Sequence, residues 1–276
     1  MPNLLKRTIS GIIYVGLLVG CLLLGRTTFC ILFVVISALL LNEYNNLIEE
    51  HKLAQVNKVV SMISGIYLFV AFFLYNSAGA KIIIFAPYIA SLLFILISGL
   101  YSNHEKPIAD WAYTFAGHLF IALPIALMNV LAFNQSIYSY TLPLAIFVFL
   151  WLSDSGAYCF GCGLSKYIPY KLFPSISPNK SWIGSIGGGI TVLLGATVFY
   201  LCDGSASIWF WFGLGLTVCI FGTWGDLVES QFKRQLGIKD SGKLMPGHGG
   251  ALDRFDSALL AIPAAVVYVM VYAAAF

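Results

Sequence analysis

Between Asp226 and Ser257 the chain gathers side chains that can do chemistry. Asp226, Glu229, Ser230, Lys233, Arg234, Lys239, Asp240, Lys243, His248, Asp253, Arg254 and Asp256 all fall there, five of the twelve acids and five of the fifteen bases. On a helix that continues through residues 226–233, Asp226, Glu229, Ser230 and Lys233 stand at i, i+3, i+4 and i+7 and share one stripe. On a second helix Asp253, Asp256 and Ser257 stand at i, i+3 and i+4 and again share a face. Five glycines within residues 237–250 join the two helix ends, and backbone N–H groups in such a loop can approach an anion closely. Lys239, Lys243 and His248 add donors. Hard carboxylate oxygens beside clustered bases and a glycine-rich loop suit Mg²⁺ carrying a nucleotide polyphosphate. Gly237 to Leu244 comes close to a P-loop, but Leu244 stands where Mg²⁺ needs a hydroxyl and no strand precedes it.

A second stretch runs Ser177-Pro178-Asn179-Lys180-Ser181-Trp182-Ile183-Gly184, followed by Gly187-Gly188-Gly189. Ser177-Pro178 breaks the chain ahead of a helix, which puts Lys180 and Ser181 near a helix N-terminus, where amide groups and dipole favour phosphate. Gly184 and Gly188 form a small-xxx-small pair for close helix packing. Upstream, Asp154 lies within an apolar run. A carboxylate at that depth costs roughly 2.5–3.5 kcal/mol on insertion scales, so it reads as functional, with a hydrogen-bonded interior Asp as the structural alternative.

These groups are set in an unusual background. Of 276 residues 59 % are hydrophobic and 10 % charged, with 21 Phe, 15 Tyr and 26 Gly. A soluble domain carries about 25 % charged residues, and a disordered chain has the opposite bias. The composition leaves an all-α polytopic membrane protein. Apolar segments at 9–24, 29–45, 59–76, 81–100, 111–132, 141–162, 183–202, 208–228 and 257–275 predict about nine transmembrane helices. Gly25-Arg26-Thr27-Thr28 makes a tight hairpin between the first two. Pro87, Pro124, Pro143 and Pro263 start or kink helices. No small-x-small cleavage site precedes Arg26, so the first segment is a retained span and not a signal peptide.

The bases alternate with the spans. The N-terminus and every second loop carry thirteen Lys and Arg, whereas Arg26 and Lys81 alone fall on the other side. The positive-inside rule then places the N-terminus in the cytoplasm and the C-terminus outside. The long polar loops, 163–182 and 229–256, lie on the cytoplasmic side. Residues 1–140 read as a transmembrane scaffold for lipid contact, packing and dimerisation, and residues 141–276 as the catalytic region. The six cysteines show no paired spacing, and Cys159-x-x-Cys162 stands alone, so they read as small apolar residues. His51, His104 and His118 are isolated and read as structural. Lys58 reads as a topology charge.

The motif Ser230-x-Phe232-Lys233-Arg234-x4-Lys239-Asp240-x-Gly242-x3-Pro246-x-His248-Gly249-Gly250-x2-Asp253-Arg254-Phe255-Asp256 closely resembles the signature of the CDP-diacylglycerol synthases, or phosphatidate cytidylyltransferases. Asp154-x2-Ala157-Tyr158-x2-Gly161 and Ser177-Pro178-x-Lys180-Ser181-Trp182 look like the same family. The first 140 residues match only as spans. Ser181 stands where Thr is usual, and Ile183 where the family often has Glu or Gln. The resemblance implies an integral membrane enzyme that joins CTP and phosphatidate into CDP-diacylglycerol and pyrophosphate with Mg²⁺, and K⁺ as a second cation. It implies Asp226 and Asp253 at the metal centre, and a homodimer. We add Asp256 as a third metal carboxylate. Lys239, Lys243 and His248 are assigned to phosphates. Substrate binding is assigned to Lys180, Ser181, Ser177, Ser230, Arg254 and Asp154, with Lys233 and Arg234 nearer the lipid phosphate. No nucleic-acid partner is expected, and the short chain points to a bacterial inner membrane with the active site on the cytoplasmic side.

Two other classes use similar parts. A CTP-dependent lipid kinase would transfer the γ-phosphate and leave the cytidine out of the lipid. An ion-coupled transporter would relay protons through Asp154 and Asp226, and would carry paired broken helices in two related halves, which the sequence lacks.

Overall fold

The computed structural model describes residues 2–101, 104–164, 170–204, 206–242 and 249–275. Lys243 and His248, both assigned to phosphate contacts above, lie outside the described residues. Among the described residues nine helical rods follow one another, at the places where the apolar segments predict them. They are α1 (Pro2–Leu23), α2 (Arg26–Glu50), α3 (Lys58–Ala78), a 3-10 turn running into α4 (Ala86–Leu100), α5 (Pro107–Gly117) joined by a π-helical turn to α6 (Leu123–Ala132), α7 (Thr141–Leu164), α8 (Trp182–Asp203), α9 (Ile208–Gln235) and α10 (Leu252–Ala275). Eight of these rods are long and apolar enough to cross a membrane, and the first contributes the shorter apolar stretch Thr8–Leu23. The chain is an integral membrane protein.

Four helices outrun their apolar segments by five residues or more, α1 among them, starting at Pro2. α2 continues to Glu50, α9 to Gln235, and α10 starts at Leu252. Hydropathy marks the lipid-soluble part of a helix, whereas backbone hydrogen bonding carries the helix on into polar residues. Two hairpins, absent from the all-α expectation, also form. β1 (Phe133–Asn134) pairs with β2 (Ile137–Tyr138), and β3 (Lys171–Phe173) with β4 (Ser177–Ser181). Ser177-Pro178 lies in the strand ahead of α8, so Lys180 and Ser181 stand at the helix N-terminus as expected, with Ser181 its N-cap. The β3–β4 register is irregular between Lys171 and Phe173, the setting in which a sheet accepts proline.

The helices divide into two compact units. The first comprises residues 1–140 and 240–255. Its core is aromatic where α2, α3 and the β1–β2 hairpin meet: Phe29 packs on Phe33, Phe69, Phe133 and Tyr138. The Tyr138 hydroxyl donates to the Leu22 carbonyl at 2.7 Å and ties the hairpin to α1. Gly65 lets α3 close on Leu41 and Ala122. His118, in the π-helical turn, is hydrogen-bonded to Ser64 and Tyr88, each at 3.3 Å, a satisfied core histidine. Lys58 pairs with Glu49 and with Asn46, each at 2.7 Å, on a partly exposed surface. Such pairs contribute about 0–1 kcal/mol, so Lys58→Ala should change turnover and melting temperature by less than about two-fold and a few degrees respectively. A large loss of turnover in the folded variant would place Lys58 in the site instead.

The second unit comprises residues 141–239 and 256–276. α7 and α8 are in backbone contact. A Cβ at Gly184 would come within 2.9 Å of the Ala157 carbonyl, and one at Gly188 within 2.8 Å of the Ser153 carbonyl. Thr191 seals the seam by donating to the Leu152 carbonyl at 2.9 Å. α9 meets the following helix in the same way: a Cβ at Gly225 would sit 2.6 Å from the Asp256 carbonyl. These contacts fix the polar ends of α7, α8 and α9.

Candidate active site

The candidate residues form two groups, one in each unit. In the second unit Asp154 from α7, Lys180 and Ser181 from β4, and Asp226 and Ser230 from α9 converge. Lys180 Nζ lies 2.7 Å from Asp226 Oδ2 and donates to the Thr223 carbonyl at 3.3 Å. Ser230, one turn beyond Asp226, donates to Asp226 Oδ1 at 3.1 Å. The stripe expected at i and i+4 is thus a working contact. A cavity of about 210 Å³ is lined by Ser153, Asp154, Tyr158, Asn179, Lys180, Ser181, Ser185 and Thr223. Ala157 and Gly184 complete the lining, and more of the wall is apolar than polar, but five hydroxyls, one amide, one base and one acid border it and can meet phosphate or sugar oxygens. Ser181 caps α8, accepting the Gly184 amide at 3.2 Å, so its hydroxyl has a structural duty at the edge of the cavity.

Asp256, half-buried, accepts the Ser257 amide at 2.6 Å and feels the charges of Asp226, of Glu229 and of Asp154. Carboxylates from α7 and α9 therefore lie within electrostatic reach of Asp256, with Asp226 answered by Lys180 and Glu229 by Lys233. Among the described residues no group of three or more His, Cys, Asp or Glu is disposed to enclose a metal alone. Mg²⁺ keeps several waters and binds through one or two carboxylates together with substrate phosphates. Asp226 and Asp256 supply such a pair of hard oxygen donors.

Other assigned bases are placed differently. Lys233 is buried on Glu229, with Nζ 2.6 Å from Oε2, so it is held within α9 and not presented to a lipid phosphate. Arg234 is exposed and donates to the Ile238 carbonyl at 2.9 Å, closing the end of α9. Lys239 and Arg254 are exposed. Ser177 begins β4 opposite Phe173.

In the first unit the two ends of the glycine-rich loop close on each other around two carboxylates. Asp253 Oδ2 accepts the Ser241 amide at 2.9 Å and the Gly250 amide at 2.7 Å. The second carboxylate is Glu43, seven residues before the end of α2. It accepts the Ser241 hydroxyl, the Ala251 amide at 2.8 Å and the Leu252 amide at 3.0 Å. Gly249 is in the left-handed region at φ 85°, and a Cβ there would overlap Asp253. Sequence reasoning missed Glu43. The available signal was a carboxylate within the apolar segment 29–45, on which an acid has no topological role.

With the geometry in place, comparison with known proteins is informative. The Cytidylyltransferase family profile matches residues 5–272. A protein from Staphylococcus haemolyticus (strain JCSC1435) named phosphatidate cytidylyltransferase is 34 % identical over 260 residues, covering 93 % of this chain and 95 % of its own. A protein of the same name from Staphylococcus aureus (strain COL) is 31 % identical over 261 residues, with the same coverage. One from Staphylococcus saprophyticus is 46 % identical over 118 residues, 42 % of this chain and 44 % of its own. The match runs through nearly the whole chain, the scaffold helices as well as the polar helix ends, and the chain belongs to the cytidylyltransferase family.

Proposed function

We infer that this membrane protein transfers the cytidylyl group of CTP to phosphatidate, giving CDP-diacylglycerol and pyrophosphate for phospholipid synthesis. The observation that carries the reading is a small cavity bordered by Asp154 and Lys180, with Asp226 paired to Lys180 and Asp256 within reach of the Asp226 charge, in a chain whose relatives share the activity by name along nearly their full length.

The chemistry needs no dedicated base. The second pKa of a phosphate monoester is about 6, so at neutral pH the lipid phosphate is already a nucleophilic dianion. One of its oxygens attacks the α-phosphorus of CTP, the bond from that phosphorus to the bridging oxygen breaks, and pyrophosphate leaves with the electron pair. The obstacle is bringing two polyanions together, and the protein removes it by neutralising and aligning charge. Mg²⁺, when bound, neutralises the CTP phosphates and the departing pyrophosphate. Asp226 and Asp256 would hold it, with Asp253 as the further carboxylate assigned from the sequence. K⁺ as a second cation is part of the same proposal. Ser230 fixes Asp226 by its hydrogen bond. Lys180, paired with Asp226 in this structure, would supply a positive charge to a substrate phosphate. Ser177, Lys239, Lys243, His248 and Arg254 supplement the phosphate contacts.

The thirteen-to-two bias of bases and the bacterial source of the relatives support a bacterial inner membrane with the site facing the cytoplasm, where CTP is available. A homodimer, implied by the family resemblance, belongs to the same proposal. The test is purified protein in lipid nanodiscs with phosphatidate, Mg²⁺ and CTP labelled in the cytidine ring. Label should enter the lipid, with one pyrophosphate released per lipid product. A phosphorylated lipid free of label, with CDP released, would contradict the reading in favour of a kinase.

A further inference from the structure

We propose that Glu43 is a positioning residue for the nucleotide: from α2 it clamps the neck of the glycine-rich loop and caps the start of α10. The inference rests on the reaction proposed above. Ala251 and Leu252 bring α10 to its first turn, where amides have no partner within the helix. Both donate to Glu43, one to each carboxylate oxygen. A negative group there also meets the positive end of the helix dipole. Ser241, on the incoming side of the loop, donates its hydroxyl to the same carboxylate and its amide to Asp253. Glu43 and Asp253 together thus take up four backbone amides and a hydroxyl, and the chain enters and leaves the loop at one point.

The neck has been narrowed to admit this carboxylate. A Cβ at Gly250 would overlap Glu43, and one at Gly242 would lie 2.9 Å from Glu43 Oε2 and 3.3 Å from the Gly250 Cα. Ala251 and Leu252, whose amides Glu43 holds, immediately precede Asp253, the carboxylate assigned above to the metal centre. Glu43 touches none of the reacting atoms in this account. It fixes where the loop begins and ends and where α10 starts. A clamp of this kind acts on nucleotide affinity, whereas a general packing role acts on the fraction of folded protein.

The test uses the full chain in nanodiscs. Glu43→Gln keeps the volume but turns an NH₂ toward donors. KM for CTP should rise by about 10–100-fold, the usual cost of removing a group that orients a ligand, while KM for phosphatidate stays unchanged. Hydrogen exchange at the Ala251 and Leu252 amides should accelerate more than about ten-fold as their bonds are lost. An unchanged KM for CTP, a fall confined to kcat in proportion to the folded fraction, or unchanged exchange would each overturn the clamp. Should Glu43→Gln fail to fold, Ser241→Ala removes one donor and leaves α2 intact. It should raise KM for CTP by about 3–10-fold, a smaller share of the same effect, and an unchanged KM overturns the proposal. Exchange also separates the two readings. A wild-type chain that makes no CDP-diacylglycerol yet shows the expected acceleration on Glu43→Gln overturns the reaction and leaves the clamp.

Discussion

Asp226→Asn is expected to lower kcat at least ~10²-fold, the scale set by removing one charge-stabilising group from a phosphoryl-type transition state. Asp226 receives Lys180 on one oxygen and Ser230 on the other, and it stands near Asp256. The amide keeps the shape and can still accept from Ser230, and α9 remains packed through Gly222 and Gly225, so the variant should fold. What it loses is the charge that a cation requires and that Lys180 answers. The checks are pyrophosphate release at saturating substrates and thermal unfolding of the same preparation. Near-normal turnover would remove Asp226 from the site.

Asp253→Asn is expected to cost at least ~10²-fold as well, on the same scale. Its Oδ2 accepts two amides, and an Asn carbonyl oxygen can accept both, so the loop neck should survive the change. The negative charge on the first turn of α10 is then the main thing removed. Melting temperature should therefore move little while turnover collapses. A folded variant with near-normal turnover would make Asp253 a loop fastener only.

Much of the architecture could be read before the structure. Runs of apolar residues are long because the bilayer is thick, and the bases alternate because insertion sorts them, so nine rods and their polar connections follow from hydropathy and charge. The helix ends were less legible. The helical hydrogen bonding of α2 carries on past residue 45 to Glu50, where hydropathy has no signal. The break at Ser177-Pro178 and the helix start after it could be read from proline and a capping serine, but not the antiparallel pairing of this segment with Lys171–Phe173, which depends on residues several positions upstream.

The site divides along the same line. Asp226, Ser230, Asp154, Lys180 and Asp256 could be grouped because helical spacing and the family motifs mark them. Lys233, assigned nearer the lipid phosphate, is instead buried on Glu229, which lies one turn away on the same stripe, and spacing alone does not say which of the two faces outward. Glu43 was hidden for a different reason. Its partners, Ser241, Ala251 and Leu252, lie about two hundred residues further along the chain, and no local pattern records a contact of that range.

The most direct test of the account is the binding of Mn²⁺, in place of Mg²⁺, to purified protein with CTP, followed by electron paramagnetic resonance. The wild-type chain should take up Mn²⁺ in a CTP-dependent manner, and Asp226→Asn and Asp256→Asn should each weaken that uptake by at least ~10-fold. Wild-type affinity in both folded variants would contradict the claim that these two carboxylates hold the cation on which the nucleotide is aligned.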